Sequence, residues 1–243
     1  MKIQKFIAFL PILILLSTTI DAQENSKLNT LSKKEQKQGW ILLFNGNNLE
    51  NWKGFNIPEV PTCWSVQNGF LTCKSDGGAE TNGDIISIQT FADFELKIEW
   101  AISEGGNSGI FYHVVEHPRY HYAYETAPEY QIIDDKGWPG TLENWQQCGA
   151  DYAMHESSNN KVLKPAGEWN TTRILFYNNH VEHWLNGIKI VEFDAYTPEW
   201  EALKNSGKWK SYPDYAISKT GKIGLQNHGS GVMFRNIKIR QLD

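Results

Sequence analysis

The sequence lacks several features that mark common classes of protein. Its 243 residues include only three cysteines, and an odd number leaves at least one thiol outside any disulfide framework. Lys and Arg are scattered among acidic residues at a formal net charge of −5, and without a basic stripe nucleic acid is not an expected partner. No internal repeat and no Pro- or Ser-rich linker divides the chain, so we predict a single folded domain.

The cysteines also lack any recognisable nucleophile motif, so a catalytic cysteine is not predicted. Cys63 and Cys73 stand almost symmetrically about the Asn68-Gly69 pair and could lie close together across a hairpin. The sequence leaves their pairing open.

Apolar runs of membrane-spanning length are absent. The segment from Phe6 to Leu16 is apolar but shorter than the roughly 20 residues that a bilayer requires. It follows Lys2 and Lys5 and precedes small residues ending at Ala22, the order typical of a cleaved export signal.

Three segments are therefore predicted. Residues 1–22 form a signal peptide, residues 23–38 form a polar tether or short helix, and residues 39–243 form the domain. Such a protein is exported, periplasmic or secreted, and has no transmembrane segment after signal removal.

Helical signals are scarce, whereas strand signals recur along the whole domain. Residues 94–100 alternate apolar side chains with Glu and Lys, the period of a half-buried strand. One short helix is predicted after Thr197 as N-cap. Further strands are predicted at 64–72 (a hairpin), 108–115, 130–133, 172–177, 180–185, 188–193, 223–226 and 233–242. This pattern predicts an all-β sandwich or jelly roll.

Two long irregular segments interrupt these strands. Residues 116–128 and 136–167 are rich in Trp, Tyr and His, and loops of this length in a compact domain are commonly functional. Aromatic residues, 13% of the chain, suit strands and can also stack on sugar rings.

Motifs in a specific order connect the chain to a known family. They are Gly39-Trp-Ile-Leu-Leu-Phe-Asn-Gly46, Asn107-Ser-Gly-Ile-Phe111, Glu129-Tyr-Gln-Ile-Ile-Asp134, Val181-Glu-His-Trp-Leu-Asn-Gly187 and Gly224-Leu-Gln-Asn-His-Gly229. Through them the chain resembles the 3-keto-disaccharide hydrolase domain family from Gly39 to Leu242. The resemblance implies a concanavalin-like jelly-roll sandwich of two antiparallel sheets. It also implies a carbohydrate substrate and action on 3-keto-glycosides, in some members by elimination and hydration.

The chemistry of such substrates specifies what a site must contain. A ketone at C3 acidifies the hydrogen on C2, so a base can remove that proton and expel the oxygen on C1. The site needs a base, an acid for the leaving oxygen, and a cation or metal for the enolate. No strong metal-binding motif is present, so a divalent metal is possible but its use stays open.

Two pairs of polar residues are our main site candidates. Residues two apart on a strand share one face, so Glu129 and Gln131 are expected to point together, with Glu129 as base or metal ligand. Gln226 and His228 repeat this spacing, and a histidine can shuttle protons at neutral pH. An ordinary solvent-facing pair or a turn histidine would show the same spacing.

Further candidates are less constrained by the sequence. Arg235 could stabilise an enolate or could pair with a buried acid. His113 and His183 share the parity of apolar neighbours, which favours packing. Candidate substrate-binding residues beside the cleft are Asn107, Arg119, Tyr124, Trp138 and His155.

Two other functions remain open at this point. A conventional jelly-roll glycoside hydrolase would carry two catalytic acids, but residues 129–135 lack the usual Glu-x-Asp-x-x-Glu spacing. A carbohydrate-binding, lectin-like module would have the same fold and aromatic content, because a fold does not determine function.

Overall fold

The fold was analysed in a computed structural model that describes residues 28–75 and 83–243. The predicted export signal lies outside the described residues. Within them, neither helix has the length and apolar character needed to cross a membrane. The described part of the 23–38 segment contains a short helix, α1 (Lys33–Lys37), which begins with a capping box between Ser32 and Glu35.

Thirteen strands in the described residues form two antiparallel sheets, which confirms the predicted all-β sandwich. In chain order they are β1 (Ile41–Leu42), β2 (Trp52–Gly54), β3 (Trp64–Gln67), β4 (Phe70–Cys73), β5 (Ile85–Phe91), β6 (Phe94–Ile102), β7 (Asn107–Val114), β8 (Glu129–Ile133), β9 (Asn170–Tyr177), β10 (His180–Leu185), β11 (Ile188–Asp194), β12 (Gly221–Leu225) and β13 (Val232–Gln241). The larger sheet has eight strands in the order β11-β10-β9-β6-β13-β4-β3, with β1 also paired to β13. The smaller sheet has five strands in the order β2-β5-β12-β7-β8.

Tight turns predicted from Asn-containing pairs join the hairpins. Asn68 and Gly69, between β3 and β4, adopt φ values of 52° and 79°, and Asn186 and Gly187, between β10 and β11, adopt 48° and 83°. Left-handed backbone of this kind is accessible to Asn and Gly, which explains these two hairpins.

The β3–β4 hairpin aligns Trp64, the residue after Cys63, with Cys73. Cys63 Sγ accepts a hydrogen bond from Asn227 Nδ2 at 3.5 Å.

The core fills the space between the two sheets. Alternate side chains point into it along the regular stretches of the strands, and a register shift between Arg235 and Lys238 resets the alternation in β13. The inward residues include Leu96, Ile98, Trp100, Ile110, Tyr112, Tyr130, Ile132, Ile174, Ile223, Leu225, Phe234 and Ile239. The largest of them, Trp100, is fully buried and satisfies its indole N–H by donating to Thr172 Oγ1 at 2.9 Å.

Two histidines belong to this core, as their parity predicted. His183 is buried between Tyr112 Oη (3.3 Å) and the carbonyl of Gly149 (3.1 Å). His113 is within 2.8 Å of the Ala92 carbonyl. Burial lowers the pKa of both imidazoles to about 4, so each remains neutral and structural at physiological pH.

Helix α2 (Pro198–Ser206) begins where the sequence predicted, with Thr197 Oγ1 accepting from Trp200 N at 3.2 Å. Short 3-10 helices lie at Ala123–Glu125, Asn144–Gln146 and Lys208–Ser211. Strands β1, β2 and β5 were outside the sequence predictions.

The outer face of the five-stranded sheet is divided into two parts. At one end, a second apolar cluster covers it, formed by Phe55, Ile86, Phe111, Val114, Tyr120, Ala123 and Ala127. This cluster packs the predicted loop 116–128 onto the sheet. The other end of the same face carries polar side chains, and it is there that a site can form.

Candidate active site

Three neighbouring strands bring distant parts of the chain into one row on this face. Gly109 on β7 is the register partner of Gln131 on β8, and Gln226 N donates to the Gly109 carbonyl at 3.0 Å. Since side chains alternate along a strand, Gln131, Gly109 and Gln226 all face outward. The glycine leaves a gap in the middle of the row.

The carboxylate of Glu129 occupies this gap. A Cβ atom on Gly109 would collide with Glu129 Oε1 and would lie 2.9 Å from its Cδ. Glu129 is only 4% exposed, and burial raises the pKa of its carboxyl group to about 8. The nearby charges of Asp84 and Asp151 raise this pKa further, whereas Lys208 and a hydrogen bond from Gln226 lower it. Both protonation states of Glu129 are therefore accessible near neutral pH.

Three side-chain amides around Glu129 present unused hydrogen-bond acceptors. Asn107 Oδ1, Gln131 Oε1 and Gln226 Oε1 are buried, and none accepts a hydrogen bond from any described residue. A buried polar atom without a partner costs about 1–3 kcal/mol, so these three oxygens are available to accept a hydrogen bond from water or from a bound molecule. Sugar hydroxyls are donors of the right kind.

The free edge of β8 is covered by a loop rather than by a regular strand. Gln131 N donates to the Ala150 carbonyl at 3.1 Å, and Tyr152 N donates to the Glu129 carbonyl at 3.0 Å. These bonds fix Tyr152 beside Glu129. The long segment 136–167 thus supplies one wall of the site.

The polar row forms the floor of a cavity of about 110 Å³. Its lining residues are Asn107, Tyr124, Glu129, Gln131, Tyr152, Lys208, Gln226 and His228. Tyr124 comes from the 116–128 loop, and Lys208 comes from the 3-10 helix after α2. The two exposed residues, Lys208 and His228, form the rim.

Lys208 is surrounded by aromatic rings. Its Nζ lies 4.9 Å from the ring centroid of Tyr124, 4.5 Å from that of Tyr152 and 4.6 Å from that of Trp209. Although the residue as a whole is exposed, the rings around its ammonium group displace water from it and lower the pKa of Lys208, and the Glu129 carboxylate partly offsets this effect. The cavity therefore combines an acid and a cation.

The structure brings together six of the residues predicted from sequence. Glu129, Gln131, Gln226, His228, Asn107 and Tyr124 all line the cavity. Their roles in catalysis and binding are taken up as proposals below.

Arg235 requires a correction, because it lies on the other side of the molecule. It is the register partner of Glu99 on β6, and its Nε donates to Glu99 Oε2 at 2.7 Å on the outer face of the eight-stranded sheet. Its guanidinium also stacks 4.0 Å from the centroid of Trp169. The second possibility read from the sequence, a partner for an acid, is the one observed.

Three predicted substrate-binding residues also fall outside the cavity. Arg119 is exposed and pairs with Asp214 at 3.0 Å. His155 bonds through Nδ1 to Asp151 Oδ2 at 2.9 Å and stacks on Phe193.

Trp138 belongs to a turn at the opposite end of β8 from Glu129. Its backbone N–H donates to the Asp134 carbonyl at 2.9 Å, and its side chain is packed against the core. Loop composition alone could not distinguish these positions from the lining residues.

Sequence reasoning missed Lys208 and Tyr152. Each is a single residue in an irregular segment, without a partner at strand spacing. For Tyr152 the available signal was the aromatic content of the 136–167 loop, and for Lys208 the sequence offered none.

Two places among the described residues offer side chains that could ligate a metal ion. On the outer face of the eight-stranded sheet, His180, Glu182 and Glu192 bring ligand atoms within 4.8 Å of one another. The ammonium of Lys189 already lies 2.6 Å from Glu192 Oε1 and 3.4 Å from Glu182 Oε1, so a cation is present there. In the cavity, Glu129, His228 and the three amides are the groups able to ligate a metal.

Comparison with known proteins gives consistent matches over the whole domain. A family model described as a 3-keto-alpha-glucoside-1,2-lyase-like domain matches residues 39–240. A 3-keto-disaccharide hydrolase from Bacteroides thetaiotaomicron is 31% identical over 244 aligned residues, covering 90% of this chain and 83% of that protein. A crystal structure described as a candidate glycosyl hydrolase, from Parabacteroides distasonis, is 42% identical, covers 89% of this chain and 100% of that chain, and has a TM-score of 0.84. The carbohydrate-binding module CBM66 from Bacillus subtilis, 12% identical with a TM-score of 0.50 over 79% of this chain and 96% of that chain, shares the fold alone.

Proposed function

Because the chain belongs to the 3-keto-alpha-glucoside-1,2-lyase-like domain family, we propose that it cleaves 3-keto-glycosides in the cavity around Glu129. The observation that carries this proposal is a buried carboxyl group with a pKa near 8, surrounded by three unsatisfied amide oxygens. The amides bind sugar hydroxyls and hold the ring. The carboxylate performs the proton transfer.

The proposed first step is removal of the C2 proton by Glu129. The C2–H electron pair forms a C2=C3 double bond, and the C3 carbonyl becomes an enolate. A carboxylate in a site from which water is excluded is a stronger base than one in water, because its charge is poorly solvated.

The second step expels the group on C1. The enolate oxygen re-forms the C3 carbonyl, and the electrons of the C2=C3 bond form a C1=C2 double bond. The bond between C1 and the glycosidic oxygen breaks at the same time. His228 at the rim donates a proton to the departing oxygen. Water then adds to C1 of the enone, and C2 regains a proton, so that the net reaction is hydrolysis.

A conventional glycoside hydrolase mechanism fits this cavity less well. Both retaining and inverting enzymes need two carboxyl groups flanking the scissile bond. Among the described residues, Glu129 is the one carboxylate that lines the cavity.

A carbohydrate-binding module would share the fold but has no need for a buried titratable group. Perturbed carboxyl groups in clefts are typical of catalytic sites. Binding without turnover is therefore tested as an alternative outcome in the first experiment.

We expect the mature protein to cleave a 3-keto-disaccharide and to leave the same disaccharide with a C3 hydroxyl intact. Without the ketone the C2 hydrogen is not acidic, so elimination has no route. The measurement is release of the second sugar by chromatography, with and without chelator, which also decides whether a metal takes part.

Solvent deuterium distinguishes elimination from direct hydrolysis. In D2O, elimination and hydration place deuterium on C2 of the released keto-sugar within one turnover. Unlabelled keto-sugar product incubated with the protein in D2O for the same time is the control for exchange after release, and label acquired during cleavage must exceed it. Cleavage of the unoxidised disaccharide would support the conventional mechanism, and binding of the keto-disaccharide without cleavage would support the module.

The pH dependence of kcat/KM follows from the raised pKa of Glu129. If Glu129 acts as base, the free enzyme is active only when this group is ionised. We expect kcat/KM to rise roughly 50-fold between pH 6 and pH 8, with an apparent pKa near 8 on this limb. A rate that falls over this range would assign Glu129 as the acid instead.

We also propose that the protein is exported by means of residues 1–22. The basic start, short apolar run and small residues before Ala22 support this proposal. Fractionation of expressing cells and N-terminal sequencing of the mature chain test it, with Gln23 as the expected first residue.

A further inference from the structure

We propose that Lys208 is a further catalytic residue, whose ammonium group binds the C3 oxygen and stabilises the enolate. This inference rests on the proposed function, since it assigns the positive group that the proposed chemistry requires. It also makes Lys208 the residue that recognises a ketone at C3.

The environment of Lys208 differs from that of a lysine held by polar groups. Nζ of Lys161, for comparison, bonds to Gln147, Ser157 and the Cys148 carbonyl and pairs with Asp135. Nζ of Lys208 contacts only ring faces among the described residues. Its hydrogen-bonding capacity therefore remains available to a ligand.

Aromatic rings can hold a cation without neutralising it. The negative faces of Tyr124, Tyr152 and Trp209 attract the ammonium, yet none of these faces is a strong hydrogen-bond acceptor. An ammonium has three N–H donors, and any one of them can donate to an oxygen in the cavity. The rings thus hold the ammonium in place and leave its N–H donors for a ligand.

The backbone that carries Lys208 is anchored directly behind the site. Trp209 is fully buried, its Nε1 donates to the Tyr152 carbonyl at 3.1 Å, and its ring stacks on Tyr215 at 3.9 Å. Tyr152 is in turn bonded to the backbone of Glu129. One continuous set of contacts therefore positions the cation relative to the base.

The charges also fit the proposed step. The C2 proton moves to Glu129, and negative charge appears on the C3 oxygen. Lys208 keeps its proton and donates hydrogen bonds to that oxygen, so no group is oxidised or reduced and no bond to nitrogen forms. A preorganised donor of this kind contributes most where charge develops in the transition state.

The test compares Lys208→Met, Lys208→Arg and the matched control Lys210→Met, made in the mature chain. Lys210 is exposed on the same 3-10 helix and does not line the cavity. We expect Lys208→Met to lower kcat about 100- to 1,000-fold. Lys208→Arg should restore part of this loss, and Lys210→Met should leave the rate unchanged.

A second readout isolates the enolate. A 3-keto-monosaccharide has no second sugar to expel, so exchange of its C2 hydrogen with D2O reports proton removal alone. We expect Lys208→Met to slow this exchange by a factor similar to its effect on cleavage. Exchange at the wild-type rate by a variant that cleaves poorly would overturn the proposed role.

Reduction during turnover with cyanoborohydride, which reduces imines but spares ketones near neutral pH, distinguishes an ammonium from a covalent imine. Imine formation would require neutral Lys208, with loss of water, and reduction would leave a permanent sugar adduct on this residue. We expect no adduct by mass spectrometry, and finding one would overturn the proposal. Failure of the wild-type protein to cleave any 3-keto-disaccharide would reject the proposed function, whereas normal cleavage by Lys208→Met would reject only this inference.

Discussion

Glu129→Gln is expected to lower kcat/KM for a 3-keto-disaccharide by about 1,000-fold, within the range typical of removing a general base. Glutamine has the same shape and can still bond to Gln226, so the cavity and its amides remain in place. It cannot accept the C2 proton, so turnover should fail while keto-sugar binding persists.

The same substitution is expected to make the folded protein more stable at pH 8. The pKa of Glu129 is raised from 4.5 to about 8 on folding, so the native state holds a proton that the unfolded chain releases. The stability from this proton is present in full below pH 4.5 and is lost as the pH rises toward 8. Glutamine avoids this loss, which should amount to about 4 kcal/mol at pH 8.

Thermal unfolding and substrate binding check these expectations together. The Tm of Glu129→Gln relative to wild type should increase between pH 5 and pH 8 by at least about 2 °C. Glu192→Gln, on the outer face of the other sheet, is the matched control and should change neither activity nor this pH trend. Retention of more than a tenth of wild-type activity by Glu129→Gln would remove Glu129 from the mechanism.

Gly109→Ala is expected to lower kcat/KM about 100-fold without unfolding the protein. The added methyl group would occupy the space of the Glu129 carboxylate, with Cγ and Cδ of that side chain only 3.0 and 2.9 Å away. Glu129 must move to relieve this contact. A displacement of about 1 Å in a catalytic group can cost a factor of about 100 in rate.

Gly140→Ala provides the control for adding a methyl group. Its nearest neighbour would be Trp138 Nε1 at 3.5 Å, an ordinary van der Waals distance. Both variants should unfold cooperatively, and Gly109→Ala alone should lose activity. Normal kinetics for Gly109→Ala would show that the observed position of Glu129 is not the one used in catalysis.

These two predictions show how the site depends on the sheet. In the proposed mechanism Glu129 acts as a base because the five-stranded sheet withdraws it from water, and it reaches its position because β7 has no side chain at Gly109. The resulting energetic cost is typical of functional sites, where activity and stability are in conflict.

Much of the architecture could be predicted from local patterns. Alternation in residues 94–100 predicted β6, and the Asn68-Gly69 and Asn186-Gly187 pairs predicted two hairpins, because each feature acts over a few neighbouring residues. The two-residue spacing of Glu129 and Gln131 also predicted that their side chains share one face of a strand. Strand β5 was missed, although Asp84, which immediately precedes it, raises the pKa of Glu129.

Parity assigns a side chain to one of two faces but does not say which sheet the face belongs to. Arg235 and Glu129 are both outward-facing residues, yet they lie on the outer faces of different sheets. The error in placing Arg235 in the site came from this ambiguity. Register partners, here Glu99 for Arg235 and Phe111 for Glu129, resolve it only in the folded structure.

The sequence by itself determined the family, the β-rich fold and the paired polar residues on β8 and after β12, because these depend on short-range spacing and on ordered motifs. Only the tertiary structure decided that Glu129, Gln226 and Lys208 meet in one cavity. They come together because of the order of the strands in the sheet and because Trp209 and Tyr152 hold the surrounding loops in place. Contacts between residues about 80 or 100 positions apart leave no periodic pattern in a single sequence.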